Sequence, residues 1–344
     1  MTKLDLTASP RTDPLDIYRY RDGIYAVDLL IAGVVWLDFF SWLAEHPSDL
    51  AGVCRGLDLQ GRPADVMLTL FAANGLVRRE NGAFVVTDLA REHLVKGSPW
   101  FLGPYYASLK DRPVCADLLR VLRTGKPANW GSSKSEKEWS KAMEAADFAE
   151  SFTAAMDCRG IHLGRAVAAQ LNLHGGHRLL DIAGGSGIYA CSIVAAHPHL
   201  NAVVLEKPPV DAVARTLIAR RGYADRVTVA TGDMFSQPLP TDCDVHLFSN
   251  VLHDWDVPVV KELLAKSHAA LAPQGLLVIH DMHLNADKTG PLPVAEYSVI
   301  LMHSTEGRCF GVGEMGEWLA EAGFTDMRLQ PTTADRSILT ARKR

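Results

Sequence analysis

No CxxC pair occurs among the six cysteines of this 344-residue chain, Cys54, Cys115, Cys158, Cys191, Cys243 and Cys309. Scattered thiols exclude a disulfide framework and a zinc ribbon, and suggest a reducing, cytoplasmic setting. No His/Cys cluster has ligand spacing, so no metal is expected. An excess of basic charge is also missing. Lys plus Arg is 35 against Asp plus Glu 40, a net charge of −5. Such a balance lacks the electrostatic footprint of a nucleic-acid binder. The opening MTKLDLTASPRTDP has no apolar run, so no signal peptide is expected. Internal repeats and low-complexity tracts are absent too.

One long apolar run is present, GIYAVDLLIAGVVWLDFFSWLAEH at 23–46. Asp28 and Asp38 argue against a membrane span, because each costs about 2.5–3.5 kcal/mol near a bilayer centre. The run reads as a helix buried on most faces, against its own chain or a second subunit.

At this length two domains are expected. Residues 48–95 read as helix, helix and hairpin, the grammar of a winged helix. Ser48 is the expected cap of the first helix. Asn74-Gly75 ends the second, and Asn81-Gly82 turns the hairpin. The DNA-binding reading is weak, since the candidate recognition helix GRPADVMLTLFAANG offers Arg62 as its cation. The alternative is a packing and dimerisation module. Residues 100–160 read as helical, with an exposed loop at GKPANWGSSKSEKEW. From 161 a βα alternation sets in, with strands expected at 178–183, 202–206, 226–230, 244–249 and 275–281. A hairpin closes the chain. This pattern means a doubly wound, mostly parallel sheet.

Ligands of such sheets sit beyond the carboxyl ends of the strands. There the chain carries RLLDIAGGSGIYA at 178–190. Gly185, Gly187 and Ala190 fit the dinucleotide spelling G-x-G-x-x-A. Asp181, however, ends the strand before the turn. A carboxylate there repels a pyrophosphate and favours a positively charged ligand. S-adenosylmethionine carries a sulfonium and an ammonium and no phosphate. Glu206, one βα unit later, suits the two ribose hydroxyls. Asp233 suits the adenine amino group, with Met234 packed on the ring. Gly184 to Gly187 let backbone approach the methionine part. A nicotinamide dinucleotide is the competing ligand, and Asp181 with Asp233 tilts against it.

His253 lies just past the fourth strand, in VLHDWD. Methyl transfer from a sulfonium is an in-line displacement, so the protein must align the acceptor and take its proton. Imidazole suits that task. Asp281, ending the neighbouring strand in LLVIHD, is placed to hold the ring, whereas Asp254 is expected to point away. Trp255 is a candidate wall of the acceptor pocket.

Together LLDIAGGSG, VVLE, GDMF, VLHDWD and LLVIHD behind a winged helix resemble the S-adenosylmethionine-dependent O-methyltransferases of the plant caffeate and hydroxyindole type, with their bacterial polyketide-tailoring relatives. The resemblance implies a class I methyltransferase fold, Rossmann-like, carrying an N-terminal winged-helix dimerisation domain. The implied domains are 1–110, a helical connector at 111–160 contributing to the acceptor pocket, and a donor-binding domain at 161–344. It also implies a homodimer, S-adenosylhomocysteine as product and an aromatic small-molecule acceptor, with neither nucleic acid nor membrane as partner. The base falls on His253 and its orienting acid on Asp281. Donor contacts fall on Gly184, Glu206, Asp233, Met234 and Phe235. Ser249 and Asn250 stand where the family often places a lysine or arginine. The acceptor pocket falls on Phe152, Met156, Met302 and His303. Cys309 replaces the family's second carboxylate, with Glu306 three residues earlier. That departure leaves C-methylation, or a reaction without methyl transfer, open as alternatives on this fold.

Overall fold

The computed structural model describes residues 5–128, 146–174 and 177–344. The loop expected at 125–139 lies outside the described residues from 129 onward. The described parts of Met1–Asp16, Ser135–Met282 and Glu314–Arg344 make one compact unit. Those of Ile17–Lys134 and His283–Gly313 make another.

The first unit is built on strands β3 (Arg178–Ile182), β4 (Asn201–Glu206), β5 (Val227–Thr231), β6 (Val245–Ser249), β7 (Leu276–Asp281), β8 (Phe324–Pro331) and β9 (Ser337–Lys343). Their spatial order is β5-β4-β3-β6-β7-β9-β8. β5 through β7 are parallel, and β8 and β9 are antiparallel. β3, β4, β6 and β7 are buried nearly throughout. A sheet covered on both faces accounts for their unbroken apolar runs. Helices α9 (Ala146–Gln170), α10 (Ile188–Ala196), α11 (Val210–Arg221), α12 (Val257–Ala270) and α14 (Val312–Glu321) belong with it. Strand order reverses between β3 and β6, the switch point where such sheets open a ligand crevice.

α9 lies close on α10. A Cβ on Gly160 would sit 2.2 Å from Ile188, and one on Gly164 2.8 Å from the Ser192 hydroxyl. Asp157 of α9 pairs with Arg221 of α11, whose Nη1 also donates to the Ser186 carbonyl at 3.3 Å. The helix is thereby tied to the glycine turn.

The second unit holds α1 (Leu15–Asp22), α2 (Ala26–Ile31), a π-turn (Ala32–Trp36), α3 (Phe39–Glu45), α4 (Leu50–Leu57), α5 (Gly61–Ala73), the hairpin β1 (Val77–Glu80) and β2 (Ala83–Val86), α6 (Asp88–Leu94), α7 (Gly103–Ala107) and α8 (Pro113–Thr124). Helix α13 (Leu292–Ser304) packs on α5, α2 and α8. Asn81 and Gly82 turn the hairpin at φ 51° and 85°.

Several expectations are corrected here. Asp49, not Ser48, caps α4, its carboxylate accepting from Gly52 N at 2.7 Å. Ser48 instead bridges to Phe84. The apolar run 23–46 is not one helix. Asp38, at φ 48°, breaks it and forms an ion pair with Lys96 at 2.7 Å. Among the described residues no single helix is long and apolar enough to cross a membrane, and the pair Leu15–Trp36 and Phe39–Glu45 is bent by 60°. Asp28 is fully buried and held by Arg112 at 2.5 Å and the Cys115 thiol at 3.2 Å.

The boundaries at 110 and 160 do not mark the compact units, because 283–313 folds with the helical part. Lys288 bonds both Asp65 oxygens at 2.5 and 2.7 Å. Arg62 donates to the carbonyls of Met302, Gly307 and Gly125 at 3.3, 2.9 and 2.8 Å. The candidate recognition helix α5 is therefore buried from Pro63 to Phe71, and its arginine is committed to backbone oxygens.

Candidate active site

Beyond β3 the chain turns sharply. Ala183, Gly185 and Gly187 have φ of 54°, 56° and 70°, the left-handed region that favours glycine. The turn folds directly over Asp181, since a Cβ on Gly184 would lie 2.5 Å from its carboxyl carbon. A Cβ on Gly185 would meet nothing within 4 Å. Asp181 is fully buried; its Oδ2 accepts from Ala190 N at 3.3 Å, and its Oδ1 has no hydrogen-bond partner among the described residues. Burial pushes its pKa up to about 7.

Glu206 closes β4. Its Oε2 accepts from Gly185 N at 3.0 Å and its Oε1 from Lys207 N at 3.2 Å. Burial raises its pKa too. Asp233 caps its own turn, accepting from Phe235 N at 2.9 Å and the Ser236 hydroxyl at 3.2 Å. Met234 is buried, and the Phe235 ring meets Trp255 edge-on at 4.6 Å. An open turn above an unsatisfied buried carboxylate, with a second acid beside it, fits a cationic nucleoside. A pyrophosphate would face two carboxylates at that turn.

The segment after β6 forms a short 3-10 turn, Leu252–Asp254. It buries His253 at 4% exposure. The imidazole Nδ1 lies 2.5 Å from Asp281 Oδ1 at the end of β7. Parallel pairing of β6 with β7 brings these strand ends together, as the sequence implied. Asp281 Oδ1 also accepts from Met282 N at 2.8 Å, so the acid itself is anchored. Asp254 is not turned away, contrary to expectation. Its Oδ1 is 3.6 Å from His253 Nε2, the two residues being consecutive in the 3-10 turn. Burial works against an imidazolium here. The charges of Asp281 and Asp254 and the Asp281 hydrogen bond outweigh it, and the His253 pKa lies above its ordinary value.

Ser249 and Asn250 enter a polar network behind this pair. Ser249 Oγ and His280 Nδ1 are 2.9 Å apart. Asn250, at φ 54°, donates through Nδ2 to Tyr189 Oη at 3.1 Å and Ser249 Oγ at 3.2 Å. Its Oδ1 accepts from Arg336 Nε at 3.5 Å. Tyr189, His280 and Arg336 escaped sequence reasoning. Tyr189 and His280 sit inside quoted motifs, where alternation along a strand puts His280 on the face opposite Asp281. Arg336 gives no local signal.

Phe152 and Met156 are half-buried on α9, and Phe152 packs on Ala149 and Val210. Met302, His303 and Cys309 belong to the helical unit and are buried within it. Burial lowers the His303 pKa, and Asp117 lies 3.6 Å from its Nε2. The Cys309 amide donates to Ser298 Oγ at 3.1 Å.

Residues 116–325 match the O-methyltransferase domain family. The chain is 31% identical over 310 residues to the 3-hydroxy-5-methyl-1-naphthoate 3-O-methyltransferase of Streptomyces sahachiroi, covering 89% of this chain and 88% of that one. It is 29% identical over 334 residues to the tetracenomycin polyketide synthesis 8-O-methyl transferase of Streptomyces glaucescens, covering 96% and 97%. An O-methyltransferase family 2 protein of Planctomyces limnophilus, solved in complex with apigenin, superposes with a TM-score of 0.90 at 32% identity over 100% of both chains. The chain therefore belongs to the O-methyltransferase domain family, and is a methyltransferase that draws on S-adenosylmethionine.

Proposed function

We propose that this enzyme methylates a hydroxyl of an aromatic or polyketide-like small molecule, with His253 as general base. The carrying observation is the buried His253–Asp281 pair at 2.5 Å. A base works when one ring nitrogen is fixed and the other can meet the acceptor's proton. Asp281, held by Met282 N, fixes Nδ1 as the donor nitrogen. Nε2 then accepts the hydroxyl proton, and Asp254 beside it offsets the charge that the ring gains.

When bound, the donor supplies a methyl group on a sulfonium. Asp181 and the turn from Gly184 through Gly187 hold its cationic amino-acid part, Glu206 its ribose, and Asp233, Met234 and Phe235 its adenine. Ser249 and Asn250 brace that wall through Tyr189 and His280 instead of supplying a cation. Phe152, Met156 and Trp255 wall the acceptor. The substrates named for the naphthoate and tetracenomycin relatives, and the apigenin bound to the Planctomyces protein, support an aromatic acceptor. Exposed Ile17, Tyr20, Ile24 and Val27 on and around α1 and α2 support a homodimer, since a second copy would cover them.

The test is incubation with methyl-labelled S-adenosylmethionine and a panel of naphthols, flavones and anthraquinones. Label on an acceptor oxygen supports the reading. Label on carbon, or product without label, replaces it with one of the alternatives on this fold.

A further inference from the structure

We propose that Lys266 is a positioning residue for the donor's adenine, holding the turn from Asp233 to Phe235 in the shape that presents the Asp233 carboxylate to the exocyclic amino group. The proposal deepens the reading above and rests on its assignment of the adenine to Asp233 and Met234. The turn follows β5 and starts from a fixed point. Gly232 N donates to the Glu206 carbonyl at 3.0 Å, and a Cβ on Gly232 would lie 2.9 Å from Leu205. The chain then makes one helical turn, closed by Gln237 N donating to the Asp233 carbonyl at 3.1 Å. Each Asp233 oxygen accepts one hydrogen bond inside that turn. A carboxylate oxygen has two lone pairs, so capacity for a ligand is left.

The far end of the turn needs support from elsewhere. A helical turn that is not continued leaves its last carbonyls without an intrahelical donor. Lys266 reaches them from α12. Its Nζ donates to the Met234 carbonyl at 3.2 Å and also to that of Phe235. The Glu262 carboxylate, one turn back on the same helix, lies 3.3 Å from the ammonium. An ammonium has three protons, and three acceptors surround this one. A cation also suits the carbonyl end of a helical turn. The base of the support is a 14-residue helix rather than a loop. Beyond the turn, the Phe235 ring meets Trp255 edge-on at 4.6 Å. If Lys266 served stability alone, its loss would lower Tm and weaken every nucleoside to the same degree.

The experiment compares S-adenosylhomocysteine with S-inosylhomocysteine by calorimetry. The hypoxanthine of the second presents an oxygen where adenine presents its amino group, so it offers Asp233 no donor there. Wild type should prefer the adenine compound by ~10–100-fold, the range expected for a hydrogen bond to a charged group. Lys266→Met should weaken the adenine compound by ~10-fold or more, with the hypoxanthine compound near its wild-type affinity, which also shows an intact fold. Lys266→Arg should keep most of the preference. The proposal is overturned if Lys266→Met retains the wild-type preference, or if both compounds weaken in parallel in that variant. Asp233→Asn separates this outcome from failure of the underlying reading, because an amide can turn to face either base and should erase the preference. A preference lost in Asp233→Asn but kept in Lys266→Met removes Lys266 alone. No preference in wild type, or one that survives Asp233→Asn, removes the assignment of the adenine and the proposal with it.

Discussion

A single oxygen of Asp281 receives both the His253 ring nitrogen, at 2.5 Å, and the Met282 amide, at 2.8 Å. The amide fixes the acid, and the acid fixes the ring. His253→Ala should therefore lower kcat by ~10²–10⁴, the usual contribution of a positioned base. Affinity for S-adenosylhomocysteine should stay near wild type, because His253 is not among the proposed donor contacts. Turnover with labelled donor and calorimetry check the two halves, and full turnover would place the base elsewhere.

The pH profile follows from the same pair. His253 must be neutral to accept a proton, and its pKa is raised, so kcat/KM should climb with pH through a value above about 6.5. Asp281→Asn removes the chief charge that opposes the burial effect. Its acid limb should move to lower pH while the plateau drops. The stability linkage has the opposite sense. The folded ring holds its proton more tightly than the unfolded chain, so that contribution is present below about 6.5 and lost as pH rises through the folded value. An acid limb unmoved in the variant would remove Asp281 from the pair.

Asp181 offers a test of the donor's charge. Its pKa of about 7 in the folded chain stands above the unfolded value. The ligand-free protein is thus favoured below about 4 and loses that contribution as pH rises through the folded value. A cation bound at the turn would lower this pKa. Binding of S-adenosylmethionine near neutrality should therefore release a proton and strengthen as pH rises. Calorimetry in buffers of different ionisation enthalpy measures this, and Asp181→Asn should abolish it.

Two glycines one position apart should fail differently. Gly184→Ala drives a methyl to within 2.5 Å of the Asp181 carboxyl carbon, so it should lower Tm and donor affinity together. Gly185→Ala meets open space but has φ 56°. Its folding cost should be about 1–2 kcal/mol, while its methyl enters the volume assigned to the donor. Donor Kd should rise at least tenfold with only a small change in Tm. Equal behaviour of the two variants in both readouts would argue that the donor does not cross this turn.

Much of the sheet was legible because its signals are local. The apolar runs that became β3 to β7 lie within a residue or two of their expected limits, and Asp281 could be paired with His253 from parallel neighbours alone. What escaped depends on packing across long separations. The direction of Asp254 is set by a 3-10 turn, which the repeat of apolar residues does not encode. The break at Asp38 needs a left-handed residue that any aspartate can supply and few do. The capture of 283–313 by the helical unit depends on Lys288 reaching Asp65 and Arg62 reaching Gly307, partners more than 200 positions apart.

His280 and Asp281 are consecutive on β7, one bonded to Ser249 and the other to His253. A slip of that strand by one position would exchange them and place an imidazole where Asp281 now meets His253. β9 pairs with β7 along its whole length, Ser337 opposite Asp281. The last antiparallel strand thus works as a ruler for Asp281, and the proposed proton removal at His253 would depend on the register set by residues 337–342.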